Sequence, residues 1–495
     1  MRPLIRQIET AHTPESLADL LAGEPGLVLL RSAMFDSPQA RYSFVAARPF
    51  LVFRSRGSRC EVISGNRCDL QFGNPWHVLD SLMSRYELVD EIDFPFPLGG
   101  CFGFWGYDLK NFVEPKLPRR AVNDLELPDC HAAFHDSLVV FDHRLGSVWV
   151  VSTGLAADGS REEQRAETAA AFWLEHLRSP AGQARGGILQ APVKEQHIAL
   201  RSTLTCGDFI HAVERAQAYI RAGDIYQVNL SQRLSAAWQG SGWELFARLS
   251  AVSPAPFSAF LDCGDFQISS SSPELFLRLS ASHIQTRPIK GTRPRSADPT
   301  RDTQLAYELQ TSAKEMAELV MITDLLRNDL GKICAFGSVQ VPELVRLERF
   351  AHVQHLVSTV EGRLRPDVTH FAALASCFPG GSITGAPKIR AMEIIDELEP
   401  RSRGPYTGAL GYLGFNRESQ LSILIRAAIC KDGWAHFPVG AGIVADSRPQ
   451  AEYDETMDKA RGFLAVLGDN PHSAAVVKAR GRGRNAAAPS GPRVR

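Results

Sequence analysis

The sequence predicts an α+β fold in which antiparallel sheets are layered with helices. Three observations point there. Short runs with period-two apolar alternation recur along the chain, and several follow one another with no helix between them. Helical stretches fall between groups of strands, so a regular βαβ series is not expected. At 495 residues the chain exceeds one ordinary core and suggests a large module or two to three domains.

Taken in order, β-like runs at 26–30, 50–53, 137–141 and 147–152 alternate with helical stretches up to about residue 178. Ala, Glu, Arg and Gln dominate 155–200, and a Gly pair at 186–187 marks a linker after a helix. From Thr203 the pattern is denser. Phe209, Val213, Ala216 and Ile220 share one face of a helix over 208–222. Tyr226, Val228 and Leu230 alternate with Gln227, Asn229 and Ser231 in a strand over 225–234. A hairpin is expected at 257–262 and 266–270, a strand at 274–279, and one long helix over 303–330. Further strands are expected at 352–364, 408–415, 421–430 and 434–444, with helices at 369–378, 387–398 and 450–467. The chain thus divides into an N-terminal region over 1–185, a second domain over 200–467 and a tail over 468–495. That tail, ending GRGRNAAAPSGPRVR, is basic and nearly free of large apolar groups, so it is expected to be disordered.

Hydrophobic content of 44% and charged content of 22% are ordinary for a soluble globular protein. The formal charge of −1 argues against nucleic-acid and membrane-surface partners, which select positive charge. No apolar run reaches the roughly 18 residues of a membrane span, and the first residues lack the apolar core of a signal peptide. The nine cysteines are scattered, odd in number and without a C-x-x-C pair. They predict buried thiols in a reducing cytoplasm, with no disulfide framework or zinc site.

Two motifs invite readings that their details reject. In GGSITGAPK (380–388), Ala386 and Pro387 separate the last Gly from Lys388, so it is no phosphate loop; Pro387 suits a helix start. GGCFG (99–103) resembles the nucleophile turn of a glutamine amidotransferase. No downstream His-x-Glu could supply its base, and Cys101 reads as a structural thiol.

Four positions carry alternatives. Glu318 lies among Leu319, Val320, Met321 and Ile322, where a carboxylate is costly unless it meets a cation. Glu455 stands one turn before Lys459, as a surface pair or, with Glu318, as a holder of Mg²⁺. Lys290, between Pro288 and Gly291, is either a solvated strand-end lysine or an amine kept uncharged by burial and nearby positive charge. His355 shares a strand face with Val353 and Val357, as a core histidine or a catalyst.

Together, GDIYQVNLSQ (223–232), SSSPELFL (270–277), PIKGTRPR (288–295), AELVMITDLLRNDLG (317–331), VQHLVSTVEG (353–362), GPYTGALGYLG (404–414), ILIRAA (423–428) and GAGIVADSRPQAEYDETMDKA (440–460) resemble one family. It is the chorismate-utilising family that contains anthranilate synthase component I and aminodeoxychorismate synthase component I. The likeness covers almost all of 200–465 in the family's order, and VLLRSAMFD (28–36) and GGCFGFWGYDL (99–109) extend it into the N-terminal third.

The resemblance implies the family's layered αβ sandwich of antiparallel sheets, with 200–467 as its chorismate-binding catalytic domain. It implies Mg²⁺ held by Glu318 and Glu455 and gripping the chorismate ring carboxylate. Substrate would be bound by Thr292, Tyr406, Arg426, Lys459 and the backbone of Gly440, Ala441 and Gly442. Glu274 would be the general acid/base, and His355 would orient or protonate substrate.

Branches of the family differ at two positions. The isochorismate- and salicylate-forming branches carry a water-activating Lys where this chain has Gln227. Anthranilate synthases generally have Ala where it has Lys290. PIKGT is instead the pattern of the branch that makes 4-amino-4-deoxychorismate for p-aminobenzoate and folate, through attack of the lysine amine on C2. Ammonia would come from a separate glutamine amidotransferase subunit. The family's N-terminal half also implies a tryptophan pocket at Ser32, Gln39, Ala40, Arg41, Tyr42, Pro256, Phe257 and Ser258. Arg31 before Ser32 departs from the Glu-Ser of feedback-inhibited members. Rival expectations are anthranilate synthase component I and a non-catalytic chorismate-binding homologue.

Overall fold

The computed structural model describes residues 2–32, 41–88, 94–181, 199–350, 353–468 and the backbone of 476–478. Two large sheets form the frame. In the thirteen-stranded sheet the central order runs Tyr42–Ala46, Val28–Arg31, Phe257–Asp262, Gln267–Ser272, Ala427–Lys431, Trp434–Ile443 and Gln227–Ala237. In the twelve-stranded sheet it runs Ile289–Pro294, Val353–Arg363, His283–Arg287, Leu275–Ser280, Glu418–Ile423, Ala409–Gly414, Gly100–Trp105 and Cys130–His135. Pairing within these central runs is antiparallel, so the α+β class and its layered antiparallel sheets are observed. The largest apolar cluster joins Val28 and Phe44 of the first sheet to Phe102, Leu277 and Leu421 of the second.

Strands from before residue 182 and after residue 199 are interleaved in both sheets. Val28–Arg31 pairs with Phe257–Asp262, and Gly100–Trp105 pairs with Ala409–Gly414. Most of the tail lies outside the described residues, but Val476–Lys478 pairs in parallel with Leu200–Ser202.

Two expected elements are corrected. The long helix over 303–330 is two helices, Pro299–Gln310 and Ala313–Gly331. The break is local chemistry: Thr311 Oγ1 donates back to the Tyr307 carbonyl, and Ser312 caps the second helix by accepting from Glu315 N. The strand over 421–430 is likewise two, Glu418–Ile423 and Ala427–Lys431, parted where Arg426 takes φ +49°. The helix Gly242–Val252 and the strands His283–Arg287 and Gln340–Arg349 were not anticipated. Cys101 sits in a wholly buried strand, and burial pushes its thiol well up, so it is no activated nucleophile. All nine cysteines are free; Cys68 is exposed, Cys206 half-buried and the others buried.

The sheets bury imidazoles. Burial lowers His135, His355, His370 and His436 to about 4 and His131 to about 3. On acidification the unfolded chain takes these protons first, so stability is full above about pH 6.5 and falls toward pH 4. Each such group adds up to about 1.4 kcal/mol per pH unit to that slope. Urea unfolding at pH 7.0, 6.0 and 5.0 is expected to give steadily lower midpoints; a flat profile would contradict the burial.

Candidate active site

A cavity of about 690 Å³ opens between the two sheets. Its walls are Gln227–Ala237 and Trp434–Ile443 from one sheet, Ile289–Pro294 and Val353–Arg363 from the other, and the helices Ala313–Gly331 and Pro449–Leu467. Lys290 reaches it because the strand kinks at Gly291, whose φ is +65°. A Cβ there would stand 2.6 Å from Leu309 Cδ1 and would strain the left-handed backbone, so glycine is favoured beside the lysine. Lys290 Nζ points at the Ser382 carbonyl oxygen, 3.5 Å away.

Lys290 faces acidic neighbours. Burial raises Glu274, while a hydrogen bond from Ser382 and the Lys290 charge pull it back. Glu274 is 6% exposed, so the carboxyl is held toward its protonated form beside the amine. Positive charge was expected around Lys290; the structure gives it Glu274 and Glu318.

His355 Nδ1 lies 2.8 Å from Thr292 Oγ1 and 3.4 Å from the Gly291 carbonyl oxygen. Burial and then the Arg426 charge hold the ring at about 4, so it is neutral near pH 7 and suited to orient a ligand. Arg426 is aimed into the cavity by its left-handed backbone. Burial alone holds it below the usual arginine range, and among the described residues its guanidinium has no acidic partner. A buried, unpaired cation is costly unless a ligand supplies the anion.

On the opposite wall Lys459 donates to the Gly440 carbonyl at 2.8 Å and pairs with Glu455 at 2.7 Å. A Cβ on Gly440 would lie 3.0 Å from the Tyr406 hydroxyl and 2.9 Å from Asn229 Oδ1, so glycine lets three walls close together. Tyr406 is 5% exposed, and burial pushes its phenol up. Gly442 lines the cavity too, whereas Ala441 turns its methyl into the core, fully buried. Only the backbone of Ala441 is left to serve a ligand.

The carboxylates form the remaining wall. Glu318, on Ala313–Gly331, is raised by burial, pulled back by the charges of Lys290 and of Lys314 at 3.9 Å, and raised further by Glu315 and Glu455. Glu452 is raised by burial and by Glu455. Among the described residues no cluster of three or more potential ligands is preassembled. Two mutually repelling carboxylates on separate helices that line one cavity are a donor set that suits Mg²⁺, which takes few protein oxygens.

The structure therefore brings Lys290, Glu274, His355, Thr292, Tyr406, Arg426, Gly440, Gly442, Lys459, Glu318 and Glu455 around one space. Sequence reasoning missed Ser382, Glu315 and Glu452. Glu315 with Glu318, and Glu452 with Glu455, are i, i+3 pairs, a spacing that would have revealed a doubly acidic face on each helix. Ser32, Tyr42, Pro256, Phe257 and Ser258 also come together, around a separate space of about 30 Å³. That holds no more than a water or two. Arg41 is not among its walls and pairs with Asp142 at 2.7 Å; Gln39 and Ala40 lie outside the described residues.

A cavity with an amine, a desolvated carboxyl, an acidic wall and an arginine that has no acidic partner among the described residues suits a small anionic ligand. The chain belongs to the family described as chorismate binding enzyme, which matches residues 31–465. It is 40% identical over 446 residues to aminodeoxychorismate synthase component 1 of Salmonella typhimurium, covering 90% of this chain and 93% of that one. It is 38% identical over 460 residues to anthranilate synthase component 1 of Acetivibrio thermocellus, covering 92% and 93%. The crystal structure of anthranilate synthase component I from Streptococcus pneumoniae matches with a TM-score of 0.75 and 32% identity, over 87% of this chain and 93% of that one. The chain is thus a chorismate-converting enzyme.

Proposed function

We propose that this chain aminates chorismate at C4, giving 4-amino-4-deoxychorismate. The observation that carries the reading is Lys290 inside the cavity beside the protonated-leaning Glu274. Direct substitution at C4 would displace a poor leaving group, and two allylic displacements through a covalent intermediate make each step easier.

In the first step the neutral Lys290 amine forms a bond to C2, both ring double bonds shift (C1=C2 to C6=C1 and C5=C6 to C4=C5), and the C4–O bond breaks. Glu274 gives its proton to the departing oxygen, which leaves as water, and the resulting carboxylate takes a proton from the new C2–N ammonium. In the second step ammonia bonds to C4, both double bonds shift back to C5=C6 and C1=C2, and the C2–N bond breaks. Protons pass from the new amine through Glu274 to the lysine nitrogen, restoring both groups. Arg426 binds a substrate carboxylate with its fork, His355 orients the ring, and the Gly440–Gly442 backbone with Tyr406 and Lys459 closes the far side. Glu318 and Glu455 would hold Mg²⁺. When bound, the ion would anchor a carboxylate and offset the acidic wall, leaving Lys290 with less negative charge around it.

The relatives' designation as component 1 supports a second subunit, and a glutamine amidotransferase delivering ammonia fits the chemistry. Among the described residues no helix is long and apolar enough to cross a membrane. We place the enzyme in the cytoplasm, where its free thiols stay reduced.

Incubation with chorismate, an ammonium salt at pH 8 and Mg²⁺, followed by mass spectrometry, is expected to yield aminodeoxychorismate without pyruvate. Anthranilate with stoichiometric pyruvate would assign the chain to the other branch. Chelation of divalent ions is expected to stop turnover and Mg²⁺ to restore it. Glu318→Ala should prevent that rescue, and unimpaired turnover in this variant would exclude Glu318 as a ligand.

A further inference from the structure

Arg403 lies just behind the cavity and touches none of its open space, yet its bonds reach three of the walls. Its side chain is 2% exposed and clamped by Glu399, with Nε to Oε2 at 2.9 Å and Nη2 to Oε1 at 2.7 Å. Nη2 also donates to the Asn229 carbonyl at 2.8 Å, and Nη1 to the Ile383 carbonyl at 3.0 Å and Thr407 Oγ1 at 3.2 Å. The guanidinium carbon stands 5.9 Å from the Tyr406 ring centre and 4.7 Å from that of Tyr107. Glu399 in turn accepts from the backbone N and the hydroxyl of Ser231, at 2.8 and 3.0 Å.

A buried ion pair is weak evidence for stability, because apolar residues of equal volume often do as well. What this one supplies is placement. Asn229 and Ile383 line the cavity, and Tyr406 meets Gly440 across it. Thr407 follows Tyr406 in the left-handed region, φ +60°, an unfavourable conformation for a β-branched residue. Arg403 bonds its hydroxyl there, while that hydroxyl donates to the Tyr406 carbonyl at 2.6 Å.

We propose that Arg403, held by Glu399, is a positioning residue that fixes Tyr406 against Gly440 and so sets the affinity for substrate. This rests on chorismate occupying the cavity and is independent of which product forms. A structural arginine would act on stability, and its loss would add to that of Tyr406; a positioning residue acts through Tyr406.

The test is a double-mutant cycle of Arg403→Lys and Tyr406→Phe, read by calorimetric titration of chorismate with Mg²⁺ present. Each single variant is expected to bind about tenfold more weakly, and the double variant no worse than Tyr406→Phe. In turnover, KM should rise with kcat changed less. Penalties that multiply to about a hundredfold, or unaltered affinity in Arg403→Lys, would overturn the proposal. If Arg403→Lys fails to fold by circular dichroism, Glu399→Gln, which keeps the shape and weakens the clamp, takes its place in the cycle. Wild-type protein that binds no chorismate would sink the reading of the cavity and this inference with it. Wild-type protein that binds chorismate and releases anthranilate would sink only the assigned product.

Discussion

Lys290→Ala is expected to lower aminodeoxychorismate formation by at least about a thousandfold, the scale on which loss of a covalent nucleophile is felt. Chorismate should still bind, because Arg426, Tyr406 and Lys459 are untouched by the change. Ammonia admitted to the space vacated by the side chain can then attack C2 directly, so a small amount of C2-aminated product is expected to replace the normal one. Peptide mass spectrometry should find a chorismate-derived mass on the Lys290 peptide of wild type quenched without ammonia, and none in the variant. Retention of wild-type synthesis by the variant would end the covalent route. The strand kink at Gly291 makes this a clean test, since the backbone there is set by glycine and not by the lysine stem.

Arg426→Gly is expected to separate function from stability. Removing a buried cation that pairs with a substrate carboxylate costs about 2–5 kcal/mol of binding, or roughly 30- to 5000-fold in kcat/KM. The ligand-free protein should suffer no such loss. Arg426 is half-buried, has no acidic partner among the described residues and takes φ +49°, and glycine relieves both penalties at once. The urea midpoint without chorismate is therefore expected to equal or exceed that of wild type. Chorismate should raise the wild-type midpoint and leave that of the variant unchanged. A variant both inactive and strongly destabilised when ligand-free would show that Arg426 has a structural partner.

What the sequence could reveal follows from which information is local. Alternation placed Gln227–Ala237 and Trp434–Ile443 to within a few residues, because each strand's apolar face is written along the strand itself. The breaks at Ser312 and Arg426 escaped it. The Ser312-x-x-Glu315 spacing was a local mark of a helix start that the periodicity of the run overrode, whereas an arginine in an apolar run carries no mark of a left-handed turn, and the packing around it decides. Glu274 was named through family likeness alone, and Lys290 and His355, singled out from their own surroundings, took catalytic roles only through it; their mutual placement depends on two sheets meeting, which no local pattern encodes. Surroundings were the least accessible part. Lys290 was expected near positive charge, yet Glu318 comes from a helix that begins only after the unanticipated break.

The pairing of Val28–Arg31 with Phe257–Asp262 has a consequence for how the protein is made. On the ribosome the earlier strand must wait for the later one, about ten to fifty seconds at 5–20 residues per second. Throughout that delay it presents an open edge able to recruit another nascent chain. Recombinant yield should therefore follow holdase capacity and growth temperature more closely than it follows the thermal midpoint of the finished enzyme.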